Sequence, residues 1–256
     1  MTTVMAFVVA GLLIGSFLNV VIARVPEGRS LVYPGSACPG CGASIAWYDN
    51  IPLLSFVALR GRCRACGVSI SWRYPLVEAL TGLLFGAAAL AFADTFEAVV
   101  AAALLAALLA ITMIDLERQI IPDVISLPGI LAGFLANLAT ARVFWLDSLL
   151  GIVVGGGVFL AIAIVGSWLA GQDAMGGGDI KLAAMLGAFL GWKVLLFSLF
   201  VSAVGGGILA AFLMGSGLRG RKDPLPFGPF LAAGGAVGLF WGERMVRWYL
   251  SAFGGA

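Results

Sequence analysis

Residues 101–140, "AAALLAALLAITMIDLERQIIPDVISLPGILAGFLANLAT", decide the fold. Two apolar runs, each long enough to cross a membrane as a helix, are separated only by "DLERQIIPD" (115–123). A chain of this kind crosses, turns in a short polar loop and returns, because only helices satisfy their own backbone inside lipid. Pro122 disturbs any helix continuing from the first run, and Asp123 stands where the second helix takes an N-cap. Asp115 is left at the end of the first crossing, directly after "LLAITMI".

The same texture extends over the whole chain. Of 256 residues 61% are hydrophobic and 11% charged, and the mean hydropathy is +1.07, far from soluble globular proteins. The expected fold class is an all-α polytopic membrane protein of about eight transmembrane helices with one small polar loop domain. The spans run from about Val4 to Ala23, Tyr74 to Ala93, Phe96 to Ile114, Val124 to Thr140 and Leu146 to Ala170. They continue with a short one from Ile180 to Leu190, then Val194 to Gly215 and Phe227 to Trp241. Three parts follow: residues 1–23 as the first transmembrane helix, 24–73 as a cytoplasmic loop domain, and 74–256 as the membrane core.

The first span lacks a basic n-region and is too long an apolar run for a signal peptide, so it reads as an uncleaved anchor. Arg24 and Arg29 behind it should stay cytoplasmic, which puts the N-terminus outside. Alternating from there, Arg24, Arg29, Arg60, Arg62, Arg64, Arg73, Arg118, Lys181, Arg219, Arg221 and Lys222 fall inside. Arg142, Lys193, Arg244 and Arg247 fall outside, which divides the 15 Lys and Arg as 11 against 4. A seven-span count would move only the tail "ERMVRW" to the cytoplasmic side.

There is no histidine. Ser-His-Asp and Cys-His catalysis, His-ligated metalloprotease chemistry and imidazole relays are therefore excluded, and acid–base work falls to carboxylates, Lys, Tyr or Cys. All four cysteines lie in the polar loop, as "CPGC" (38–41) and "CRAC" (63–66), with 21 residues between the pairs. Two such pairs resemble a zinc ribbon, with Cys38, Cys41, Cys63 and Cys66 as ligands of a closed, structural site, and Gly40, Gly42 and Gly67 as the permissive backbone of its knuckles. Two disulfides or redox pairs are the alternative, disfavoured on the reducing side of a membrane.

Sorting the 13 acidic residues by position leaves two places of interest. Glu27, Asp49, Asp94, Glu97, Asp147, Asp223 and Glu243 read as solvated surface charges, and Glu78, inside the second span, as the partner of a loop arginine. Asp115, Glu117 and Asp123 follow the third span, while Asp173 and Asp179 precede the sixth, in loops that both face the cytoplasm. Glu117 and Arg118 read as solvated loop. In "AMGGGDIKL" (174–182), Gly176, Gly177 and Gly178 allow positive φ and close approach of an extended chain beside the Asp179 carboxylate; as the bland alternative, they form a helix-start turn with Asp179 as N-cap.

Asp115 and Asp179 belong at one membrane depth, and two carboxylates sharing a proton can act as general base on water and as acid toward a scissile carbonyl, without a metal. The helix dipoles should favour ionised Asp179, at a helix N-terminus, and protonated Asp115, at a helix C-terminus. Asp123 reads as a structural or supporting residue. Gly176, Gly177, Gly178, Asp123, Asp173 and Lys181 complete the candidate substrate-binding or supporting set.

Six blocks, in order, resemble the type IV prepilin peptidases. They are "GSFLNVVIARVP" (15–26), the CxxC pairs around "NIPLLSFVALRGRC" (50–63), "SWRYPLVEALTG" (71–82), "IDLERQIIPD" (114–123), "GGGDIKL" (176–182) and "PFGPFL" (226–231). The resemblance covers nearly the whole chain. It implies a GxGD-type aspartic endopeptidase of the bacterial inner membrane that removes the short basic leader of prepilins or pseudopilins at the cytoplasmic face, between a Gly and a Phe. It also implies N-methylation of the new terminus from S-adenosylmethionine in many members, and it leaves open whether the substrates serve type IV pili, type II secretion or DNA uptake. Carried over, the catalytic pair falls on Asp115 and Asp179 and the zinc ligands on the four cysteines. Family members often have Glu three residues before the first GxGD glycine, where Asp173 stands here, preceded by Gln172.

Methylation rests on the resemblance alone, since no G-x-G-x-x-G stands between a strand and a helix. The expected partners are prepilin or pseudopilin substrates and the lipid bilayer, with no nucleic acid. The competing class is a transporter or channel using membrane aspartates, which would call for sites at the midplane and an internal repeat that the chain lacks.

Overall fold

The computed structural model describes residues 1–171, 175–217 and 226–253. Every regular element among them is helical, six helices are long and apolar enough to cross a membrane, and the chain divides into two units, Met1–Ala110 and Ile111–Ala256.

In the first unit α1 (Thr2–Arg24) packs on α3 (Arg73–Ala91). Their backbones meet where side chains are absent: a Cβ on Gly11 would lie 2.7 Å from the Thr81 carbonyl oxygen, and one on Gly15 would lie 2.7 Å from the Glu78 Cα. Small residues permit this approach, which is how apolar helices associate when lipid is as apolar as their surfaces. Asn19 Nδ2 donates to the Tyr74 carbonyl at 3.1 Å and locks the pair.

The polar insert between them holds 3-10 turns at Val25–Glu27 and Trp47–Asp49 and one short helix, α2 (Leu54–Ala58). Glu78 was expected from its place in the sequence to pair with an arginine, but among the described residues none pairs with it. Its Oε2 accepts from the Leu53 N–H at 2.9 Å, and Ser16 adds a side-chain hydrogen bond. A carboxylate inside a helix bundle seeks donors of any kind, and the strained turn at Leu53 (φ 59) offers a backbone one.

Helix α4 (Thr95–Arg118) runs through the boundary and contributes its end, from Ile111 onward, to the second unit. That unit continues with α5 (Asp123–Thr140), α6 (Trp145–Ala170), α7 (Gly177–Gly215), α8 (Gly228–Val237), a π turn at Gly238–Gly242 and α9 (Glu243–Phe253). Helix α7 is the centrepiece, packed by α5, α6 and α8. On α6, Gly151 abuts Gly187 and Gly155 abuts Ala183, backbone on backbone, so the glycine run at 151–157 serves packing inside the chain; Gly157 faces open space.

Helix α7 breaks at Gly191, whose φ of 73 and ψ of 162 are not helical. The break deprives the preceding carbonyls of helical donors. Asn137 Nδ2 donates to Ala188 O at 2.7 Å and to Phe189 O at 3.2 Å, and Ser148 Oγ donates to Ala188 O at 2.6 Å, which meets that need with buried side chains from two helices. The two limbs of α7 are the sixth and seventh expected spans, and the eighth, Phe227 to Trp241, is α8 with the π turn. Each of the eight apolar runs is thus helical.

Candidate active site and four-cysteine centre

Asp115 occupies the last turn of α4 and is 5% exposed. The helix ends four residues later at Gln119, whose left-handed backbone (φ 55) lets its N–H reach the Asp115 carbonyl at 2.9 Å. From the side, the backbone N–H of Gly228 donates to Asp115 Oδ2 at 3.0 Å. Pro229, at the start of α8, needs no helical donor there, and the "PFGP" sequence leaves the Gly228 amide turned outward from its own helix.

Asp179 is the third residue of α7. The N-cap is Gly176, so the reading of Asp179 as a cap does not hold; its own N–H donates to Gly176 O at 3.2 Å. The Asp179 Oδ1 atom is buried with no hydrogen-bond partner among the described residues. Such an oxygen is costly to leave unpaired, and one aimed at a place where substrate or water enters is satisfied only there.

Ile121 joins the two sides. A Cβ on Gly178 would lie 2.7 Å from Ile121 Cβ, and one on Gly228 would lie 3.3 Å from Ile121 Cδ1 and 2.6 Å from Asp115 Oδ2. One side chain therefore fills the space between the glycine before Asp179 and the glycine bonded to Asp115, and the two carboxylates interact electrostatically. Neither Ile121 nor Gly228 was singled out from the sequence, although "PFGPFL" interrupts an apolar segment with two prolines around a glycine, the available signal.

The three glycines differ. Only Gly178 is tightly confined, a Cβ on Gly176 would make ordinary contact with Asp179 Oδ2 at 3.7 Å, and Gly177 faces open space. Asp123 is the first residue of α5 after the cap Pro122, and it does not cap. Its carboxylate instead receives Lys181 Nζ at 2.6 and 2.7 Å, tying the start of α5 to the first turn of α7. Asp173 lies outside the described residues.

The four cysteines form a second cluster. Each pair sits in the same knuckle: Cys38 N–H donates to Ala43 O and Gly42 N–H to Cys38 O, both at 2.9 Å, while Cys63 N–H donates to Val68 O at 2.8 Å and Gly67 N–H to Cys63 O at 2.9 Å. Gly42 and Gly67 carry the left-handed turn at φ 71 and 73; Gly40 does not, and lies against Val68. All four sulfurs lie within 4.8 Å of one another and can hold a metal ion.

The donor set fits. Four sulfurs about 2.3 Å from a tetrahedral centre stand roughly 3.8 Å apart, and Cys38 Sγ lies 3.8 Å from Cys66 Sγ. Backbone N–H groups of Cys41 and Gly40 pull the Cys38 thiol down to about 7. The Val68 N–H also pulls on Cys66, but burial and the other three sulfurs outweigh it and push that thiol up to about 11. A dication among the sulfurs removes this mutual penalty.

Six helices long and apolar enough to cross a membrane, with Asp115 at the end of one and Asp179 at the start of another, define a multi-pass membrane protein with two neighbouring acids. Residues 9–92 match the family described as Bacterial Peptidase A24 N-terminal domain, and residues 102–211 the Type IV leader peptidase family. A prepilin leader peptidase/N-methyltransferase from Aeromonas hydrophila is 40% identical across 94% of this chain and 92% of its own. One from Pseudomonas aeruginosa is 38% identical across 98% and 94%, and one from Myxococcus xanthus is 48% identical across 84% of this chain and 64% of its own. No solved structure matches. The chain belongs to the prepilin leader peptidase/N-methyltransferase family.

Proposed function

We propose that this protein is an aspartic endopeptidase that removes the short basic leader of type IV prepilins or pseudopilins at the cytoplasmic face of the bacterial inner membrane, and then methylates the new N-terminus. The observation that carries the reading is that Asp115 and Asp179, remote in sequence, come close enough to interact electrostatically, with Ile121 packed against Gly178 beside one and Gly228 beside the other, in a chain of this family. The names of its relatives support both activities, and the excess of basic residues in the loops assigned to the inside supports the orientation.

In this reading the pair holds one proton. The ionised carboxylate takes a proton from water as the water oxygen attacks the scissile carbonyl carbon, and the protonated one donates to the carbonyl oxygen. The tetrahedral intermediate collapses with cleavage of the C–N bond, and the proton gained by the base passes to the departing amine. The Gly228 N–H holds Asp115 in place, and Gly178 leaves room beside Asp179. Asp123 and Lys181 brace the α5–α7 junction, and Asp173 is a candidate for contact with the basic leader.

Cys38, Cys41, Cys63 and Cys66 would hold zinc as a closed site that folds the loop, since all four positions of a tetrahedral ion are taken by sulfur. Methylation would draw on S-adenosylmethionine, which supplies a methyl group to the newly freed amine. The described residues offer no glycine-rich turn between a strand and a helix, and no residue is assigned to the donor.

The test is incubation of purified protein with a prepilin in lipid or detergent, with the cleaved bond mapped by mass spectrometry. Asp115→Asn and Asp179→Asn should each lower cleavage by roughly two to four orders of magnitude while leaving the fold intact. Cleavage retained in either variant refutes the carboxylate pair. Mature but unmethylated product in the presence of labelled donor refutes the second activity alone.

A further inference from the structure

The four basic residues that the charge count puts outside, Arg142, Lys193, Arg244 and Arg247, are the exceptions to an otherwise one-sided distribution. Three of them meet. Arg142 follows the end of α5, Lys193 follows the break in α7 and Arg247 lies on α9, and all three line one cavity of about 260 Å³. Helix α5 runs from the Asp123–Lys181 junction toward this end, about 25 Å at 1.5 Å per residue, so the cavity is separate from the carboxylate pair.

Its charges are unevenly matched. Glu243 pairs with Arg142 at 3.7 Å, and Asp147 accepts from the Trp192 indole N–H at 2.9 Å. Among the described residues no carboxylate lies within ion-pair distance of Lys193 or Arg247; the Lys193 ammonium rests over the Trp192 ring at 5.5 Å. Beneath these cations the wall is apolar, with Val143, Leu190, Val194, Val246 and Leu250.

The surroundings point to the membrane–water interface. Trp145, Trp241, Trp248 and Tyr249 are all exposed near the cavity walls in sequence, and aromatic rings with a polar edge settle at headgroup depth. Helix α9, "ERMVRWYLSAF", sets Met245, Val246, Tyr249, Leu250 and Phe253 on one stripe and Glu243, Arg244, Arg247 and Ser251 on the other, the pattern of a helix lying in that plane.

We propose that this cavity binds the phosphate of an anionic phospholipid, with Lys193 and Arg247 on the phosphate oxygens and the apolar wall against the first methylenes of the chains. The phosphate chemistry is shared with the free ion, but the apolar wall and the aromatic setting select the lipid. The positive charges at the outer face then have a task, holding a lipid there, and the Gly191 break is what brings Trp192 and Lys193 to the cavity.

The full chain in detergent is titrated with phosphatidylglycerol, phosphatidylcholine of the same acyl chains, and inorganic phosphate, and bound lipid is counted by native mass spectrometry. Phosphatidylglycerol should bind at least about tenfold more tightly than phosphatidylcholine, and millimolar inorganic phosphate should not displace it. The Lys193→Gln/Arg247→Gln double variant should lose the preference, while Arg247→Lys keeps most of it; unchanged thermal unfolding without lipid and unchanged leader cleavage show that the variants fold. Equal affinity for the two lipids in the parent, a preference that survives the double variant, or displacement by inorganic phosphate each overturns the proposal.

Discussion

The Gly228 backbone N–H reaches Asp115 Oδ2 at 3.0 Å, although 113 residues separate the two along the chain. A main-chain donor cannot swing away as a side chain can, so it fixes the carboxylate at a helix end where backbone carbonyls are otherwise its neighbours. A methyl group at Gly228 would stand 2.6 Å from that oxygen. Gly228→Ala is therefore expected to displace Asp115 and lower leader cleavage by roughly tenfold to a hundredfold, with little change in helix content. Circular dichroism and a cleavage assay on the same preparation check it.

The glycines before Asp179 give a graded prediction. At Gly178 an added Cβ would lie 2.7 Å from the branched Cβ of Ile121, which has no rotamer to escape into, whereas at Gly177 it meets nothing within 4 Å. Gly178→Ala should cost about 1–3 kcal/mol of stability through overpacking and most of the activity, and Gly177→Ala should be nearly silent. A double variant, Gly178→Ala with Ile121→Gly, which removes the opposing Cβ, should recover part of the lost activity. Equal tolerance at the two glycines, measured by thermal unfolding and cleavage, would show that the close approach to Ile121 is not limiting.

How much of this could be read from residues alone depended on whether the signal lay in a side chain. Asp115 and Asp179 were legible because a carboxylate beside an apolar run is costly and few remain after the loops are set aside. Their spacing across α4 and α7 was not, since it depends on Ile121 and on the turn before α8. Gly228 was invisible as a donor because a backbone N–H has no residue type. The break in α7 was legible as two spans, but the Asn137 and Ser148 side chains that make it tolerable lie on other helices. Glu78 was misread because position alone does not tell whether an arginine or a backbone amide will meet it.

Asp49, read as a solvated charge, is the acceptor of three hydrogen bonds from Arg64, at 2.6, 2.8 and 3.1 Å. Those bonds, with the charge attraction behind them, hold its carboxyl below the ordinary value of 3.8. With the folded pKa depressed, the pair contributes fully above the unfolded value and its contribution is lost only as pH falls through the lower, folded one. Asp49→Asn should lower amide protection around residues 47–64 by about two- to fivefold, a small effect because the Arg64 end of the pair is exposed. The same factor is expected at pH 7 and pH 5 by hydrogen exchange; a difference that shrinks across that window would mean that the carboxyl titrates above its ordinary value.

Metal removal separates a folding role from a catalytic one. The two knuckles share one hydrogen-bond pattern, and the polar insert carries only short helical turns, so the four sulfurs, with the Asp49–Arg64 pair and the Glu78–Leu53 bond, are what tie residues 24–73 together. In such a module the binding energy of the ion is folding energy. One zinc per chain is expected by elemental analysis, and Cys38→Ser or prolonged chelation should abolish it. Amide protection should then collapse over the insert while the α1–α3 contact, held by Gly11, Gly15 and Asn19, keeps its own. The thiols give an independent reading: those of the parent should react slowly with an alkylating reagent, and chelation should raise the rate at all four together, because a closed site releases its ligands as a set. Independent, unequal rates that chelation does not change would mean that the cysteines hold no ion, and that the insert folds by its turns alone.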